Sequence, residues 1–121
     1  MAWKRFVIEF GTGVDVHGID VTKAAQKAVK DAVSHCCLTG LGETLELTNA
    51  LEQVKVEIKI ASPFHEKIDR TKVLAQLPPY KNCELEIVEG GLSVRGANVP
   101  QFGVGETIVI VNAAITVYVD R

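Results

Sequence analysis

Residues Thr107 to Val119 constrain this chain more than any other stretch. Ile108, Val109, Ile110, Val111, Ala113, Ala114, Ile115, Val117 and Val119 leave that segment almost no polar side. A strand that is apolar on both faces has to be covered on both faces. A chain of 121 residues with two recognisable helices can cover only one face of a four- or five-stranded sheet. Leaving several Val and Ile side chains in water costs several kcal/mol at roughly 25 cal/mol per Å². The second face is therefore predicted to pack on another subunit, in an obligate homo-oligomer.

The remaining elements follow from periodicity. Residues 4 to 10 read as a strand through Phe6, Val7, Ile8 and Phe10, broken at Gly11-Thr12-Gly13. From Val21 to about Leu38, the residues Ala25, Ala28, Val29, Ala32, Val33 and Cys36 form one helical stripe, with Asp20 placed to cap it. Gly40 and Gly42 end that helix, and residues 43 to 52 carry no decisive period. Val54, Val56, Ile58 and Ile60 alternate strictly with Lys55, Glu57 and Lys59, the pattern of a half-buried strand. A short helix is predicted from Asp69 as cap to Leu77, stopped by Pro78-Pro79. Glu84 to Glu89 alternates again, and Gly90-Gly91 separates it from Leu92–Gly96, read as its hairpin partner. A polar loop over residues 97 to 106 leads into the last strand. The expectation is one α+β domain over residues 1–121, ordered β-α-β-α-β-β-β, with a mixed sheet and its helices on one face.

Composition excludes several classes. The chain is 47% hydrophobic and 23% charged, too apolar for disorder, and no apolar run reaches the roughly 20 residues of a membrane span. Its 13 basic and 15 acidic residues form no long block and no basic stripe, so neither nucleic acid nor membrane is an expected partner. Cys36, Cys37 and Cys83 make an odd count, and Met1–Arg5 runs straight into Phe6–Phe10 without a signal-like segment. Both point to a reduced, cytoplasmic protein. Cys36 is expected to face the core, with Cys37 as a small filler.

The stretch from Gly11 to Thr22 is the least explicable by core packing. It lies between a strand and a helix N-terminus, where unpaired amides favour an anion. A dinucleotide fingerprint fails because Val16 stands where its third glycine belongs, and no Gly-Lys-Ser/Thr follows to make a phosphate loop. What remains is a backbone able to approach a ligand at Gly11, Gly13 and Gly18, with Asp15 and His17 as a candidate acid/base pair. Asp20, Thr22 and Lys23 extend the candidate binding set, and Glu89, Gly90 and Gly91 are placed to join it from a neighbouring turn. Asp15 and His17 are alternatively two ligands of a metal, with His65, Asp20 or Glu89 as a third. They are equally a loop-closing pair that caps turn amides. Lys27 and Arg95 fit solvated surface positions, and His35 suits a helix C-terminus.

The octapeptide Gly11-x-Gly13-x-Asp15-x-His17-Gly18 resembles the GxGxDxHG signature of the Lin-type conserved hypothetical proteins, a small family of bacteria and plants. The resemblance continues in Asp20-x-Thr22 and in Val54-Lys55-Val56-x-x-Lys59-x-Ala61-x-Pro63. It reappears in Val88-Glu89-Gly90-Gly91 and in Ile110-Val111-Asn112-Ala113-Ala114, so it spans nearly the whole chain. Lys81 departs from the family pattern, which has Pro-Tyr-Gly where Tyr80-Lys81 stands here. The family has no established activity, so the resemblance implies kinship without chemistry. In element order and length the chain also resembles the trimeric chorismate-mutase-like (YjgF-like) fold. That likeness implies a trimer with ligand clefts between subunits, and fold analogy transfers no function.

The reading that follows is a small-molecule site at a subunit interface, built on Asp15 and His17 and taking an anionic or cyclic metabolite in a hydrolase- or lyase-type reaction. A metal-binding protein using the same two residues and a non-enzymatic oligomeric interaction protein are the alternatives. The sequence names no cofactor.

Overall fold

The computed structural model describes residues 2–101 and 105–121, so residues 102–104 of the polar loop lie outside the described residues. Strand β1 (Trp3–Asp15) leads through a short loop into helix α1 (Val21–Ser34). Two single-turn helices, α2 (Gly40–Glu43) and α3 (Ala50–Gln53), precede β2 (Val54–Ser62). A 3-10 turn at His65–Lys67 and helix α4 (Arg70–Leu74) connect β2 to β3 (Asn82–Glu89). Strands β4 (Leu92–Arg95) and β5 (Thr107–Asp120) complete one five-stranded sheet. The fold is α+β with a mixed sheet in a single domain. Among the described residues, no helix is long and apolar enough to cross a membrane.

The sheet order is β1-β5-β2-β3, with β4 also on β5. β5 runs antiparallel to β1, β2 and β4, while β2 and β3 are parallel. That parallel pair needs a crossover, which the 3-10 turn and α4 supply. On β5 the odd positions Val109, Val111, Ala113, Ile115, Val117 and Val119 are buried, and they meet α1 through Ala24, Ala25, Ala28, Val29 and Ala32. Asp20 caps α1 by accepting from the Lys23 amide (3.0 Å), and Asp69 caps α4 from the Lys72 amide (3.3 Å).

Three expectations need correction. The first strand does not break at Gly11 and Gly13; β1 continues through both to Asp15. A Cβ on either glycine would lie under 3.0 Å from backbone of α1, at Ala28 and Ala24 respectively, so the glycines let the helix lie against the strand. Second, residues 92–95 pair with β5 and not with β3, because Gly90 and Gly91 redirect the chain rather than fold it back on itself. Gly91 has a φ of 66°, and Gly90 donates to the Ser62 carbonyl at 3.2 Å. Third, Cys36 and Cys37 are both exposed, since α1 ends at Ser34 and the helical stripe stops before reaching them. Residues 40 to 53, read as a connector, hold the two single-turn helices.

Among the described residues, no helix lies on the opposite face of the sheet. Around β2 and β3 it is a charged lattice, with Lys55 on Glu57 at 3.3 Å, Lys59 on Glu86 at 3.2 Å and the Tyr118 hydroxyl donating to Glu57 at 2.9 Å. Toward β1 and β4 it turns apolar and exposed: Phe10 is 71% accessible, Leu92 53%, Val94 43% and Ile8 42%.

Candidate functional site

The carboxyl ends of β1, β2 and β3 and the N-terminus of α1 lie at one end of the sheet. Asp15 closes β1 there. It is 4% exposed, and its Oδ2 accepts from the Asp20 amide at 2.9 Å, fastening the loop of residues 15–20. Within that loop Gly18 has a φ of 96° and Ile19 a φ of 54°. Gly18 takes the left-handed conformation freely, but a β-branched isoleucine does so only under strain, at about 1–3 kcal/mol. His17 is half-buried in the same loop.

Of the other predicted residues, some stand beside this loop and others lie apart from it. The Thr22 hydroxyl accepts from the Asp69 amide (2.9 Å) and donates to the Lys67 carbonyl (3.5 Å), tying the start of α1 to the 3-10 turn. The Lys23 side chain is exposed, while Lys27 reaches back to donate to the Val14 carbonyl at 3.0 Å. Gly11 and Gly13 are turned toward α1, so the close approach they permit is to the helix. Glu89 ends β3 in solvent and meets His65, Nδ1 to Oε2 at 2.7 Å. Arg95 pairs with Glu106 at 3.0 Å, and His35, at the C-terminal end of α1, pairs with Asp31 at 3.4 Å.

The His65–Glu89 contact is the one sequence reasoning did not find. His65 was weighed only as a third metal ligand and Glu89 as that or as part of the binding set from a neighbouring turn, and 24 positions separate them, so no local spacing joins them. They line an open cleft of about 390 Å³ with Pro63, Phe64, Lys67 and Ser93. The carboxylate holds the imidazole in a fixed orientation, and an imidazole beside a carboxylate is a pairing suited to proton transfer. Among the described residues, no three His, Cys, Asp or Glu side chains gather to hold a metal ion, so the metal reading has no third ligand for Asp15 and His17.

The family model of the conserved hypothetical protein (Lin0512_fam) matches residues 5–117 of this chain. The chain belongs to that family. A solved structure from Nostoc punctiforme, described as an FtsZ-like protein of unknown function, is 35% identical, with a TM-score of 0.88 over 100% of this chain and 99% of that one. The bifunctional IspDF of Campylobacter jejuni is 12% identical over 98% of this chain and 44% of its own, at a TM-score of 0.34 too low to support an argument. No curated protein matches the chain. Family membership therefore brings a shared sequence pattern and fold, and no reaction.

Proposed function

We propose that this protein binds a small anionic or cyclic metabolite at the end of the sheet where the 15–20 loop and the His65–Glu89 pair lie. The cleft is completed by a neighbouring subunit of a homo-oligomer, a trimer in the manner of chorismate-mutase-like assemblies. The observation that carries this reading is the 2.7 Å His65–Glu89 contact inside a cleft of about 390 Å³. Strain at Ile19 supports it, because backbone strain collects where binding or catalysis overrides local preference. Asp15 fixes the loop, Asp20 caps the helix and Thr22 ties it to the 3-10 turn, while His17 and Lys23 line the ligand side with Gly18, Gly90 and Gly91 as the flexible backbone. His65 and Glu89 move the proton in a hydrolase- or lyase-type step.

A thermal-shift screen of small anions and cyclic metabolites tests it. A ligand specific to the folded state adds about 2.7 kcal/mol at a hundredfold excess over its Kd. The shift is expected in wild type, and to be lost in His65→Ala and His17→Ala while their unliganded melting points hold. A shift that survives both substitutions, or none in wild type, sinks the reading. A second reading, assembly without catalysis, is favoured by the exposed apolar half of the open sheet face at Phe10 and Leu92. The Nostoc relative's FtsZ-like description is compatible with it and specifies no partner.

A further inference from the structure

At the other end of the strands, on the face that α1 covers, lies a cavity of about 360 Å³ that the proposed site does not use. Its walls are Val33, Leu41, Leu77 and Val117, and Glu9 projects into it beside Cys36 and Tyr80. Along β2 it sits at Val56, about 20 Å from Ser62 and the His65–Glu89 cleft at the strand's far end.

Glu9 is 7% exposed. A carboxylate so buried has to be paired or neutralised. Among the described residues, no Lys, Arg or His comes within ion-pair distance of it. Its side-chain hydrogen bond comes from the Cys36 thiol, a weak donor. Burial raises the Glu9 carboxyl above its ordinary range, with the thiol partly opposing. Burial and the Glu9 charge both push the Tyr80 phenol up, so the two groups share one poorly hydrated space. Nothing in packing explains a glutamate here, since the same strand turns Ile8 and Phe10 outward.

We propose that this cavity binds a small primary amine with an apolar body, its ammonium group on the Glu9 carboxylate. The volume falls within the roughly 300–1,000 Å³ of small-molecule sites, and an apolar pocket with one convergent polar group fixes a ligand's orientation. The ammonium supplies the missing counter-charge, and the Tyr80 hydroxyl oxygen offers it a second acceptor. An acid of the same shape is repelled by Glu9, and a neutral alcohol leaves that charge uncompensated.

The full chain, titrated with 2-phenylethylamine, 2-phenylethanol and 3-phenylpropanoate and followed by amide NMR, tests this. The amine is expected to bind at least tenfold tighter than the alcohol, with no binding of the acid, and to move the amide signals of Glu9, Cys36, Tyr80 and Val117. Glu9→Gln brings the amine's Kd to that of the alcohol. Leu41→Trp, which fills the cavity from α2 and keeps Glu9, abolishes binding of both and carries the test if the first variant does not fold. Equal binding of amine and alcohol overturns the proposal. So do an amine preference that survives Glu9→Gln, binding that survives Leu41→Trp, shifts confined to other residues, or no binding of any probe.

Discussion

Gly13 and Gly42 differ by one environment and not by residue type. A Cβ on Gly13 would overlap the backbone of α1 at Ala24 and Ala28, whereas a Cβ on Gly42 meets nothing within 4 Å. Gly13→Ala is expected to cost about 3 kcal/mol or more, because helix and strand backbones must separate. Gly42→Ala is expected to stay within about 0.5 kcal/mol. Urea denaturation of the two variants reads the difference directly, and similar costs would mean α1 does not rest on β1. Glu9 gives a prediction in pH. Its native carboxyl holds a proton more tightly than the ordinary value of 4.5 in the unfolded chain, chiefly through burial. Its stabilising contribution is therefore complete below about pH 4.5 and is lost as pH rises through the raised native value. Glu9→Gln is expected to melt above wild type near pH 7, with the gap closing at about pH 4. A gap independent of pH would place its cause elsewhere.

At the scale of elements, α1 is held at its start by two separate devices. Asp20 accepts from the Lys23 amide, and Thr22 links the first turn to residues 67–69. Asp20→Ala is expected to lose about 1 kcal/mol by thermal or chemical denaturation, the usual worth of a cap. Thr22→Val is expected to lose a similar amount by leaving the Asp69 amide unpaired. A loss of neither would mean that the helix is held wholly by its alanine face. Much of this level is legible in the sequence. The alternation of β2 and the caps at Asp20 and Asp69 depend on neighbours a few residues away, and local patterns record them. β1 is only half legible for a physical reason. Its apolar residues Ile8 and Phe10 face away from the helix, while its buried face is Val7, Glu9, Gly11, Gly13 and Asp15. A pair of glycines reads as a break when the requirement is set by a helix elsewhere. The partner of β4 and the meeting of His65 with Glu89 are contacts between distant segments, which spacing does not encode.

For the whole molecule, the open sheet face is where the proposed assembly is put to the test. Phe10, Ile8, Leu92 and Val94 make its apolar half, next to the Lys–Glu lattice of β2 and β3. Light scattering on the purified protein is expected to give a multiple of the 13.1 kDa chain mass, and Phe10→Glu to give a folded monomer. Wild type at 13.1 kDa would remove the subunit-interface part of the proposed function. The sheet order carries one more consequence, and it concerns synthesis. β5 is hydrogen-bonded to β1, β2 and β4, yet it follows all of them in the chain. While the ribosome is still adding residues 107–120, β1 and the β2–β3 pair have no strand between them, and their edges stand open. The sheet closes only once that stretch has cleared the exit tunnel. Until then the nascent chain presents bare strand edges to its surroundings, the feature that invites mispairing with other chains.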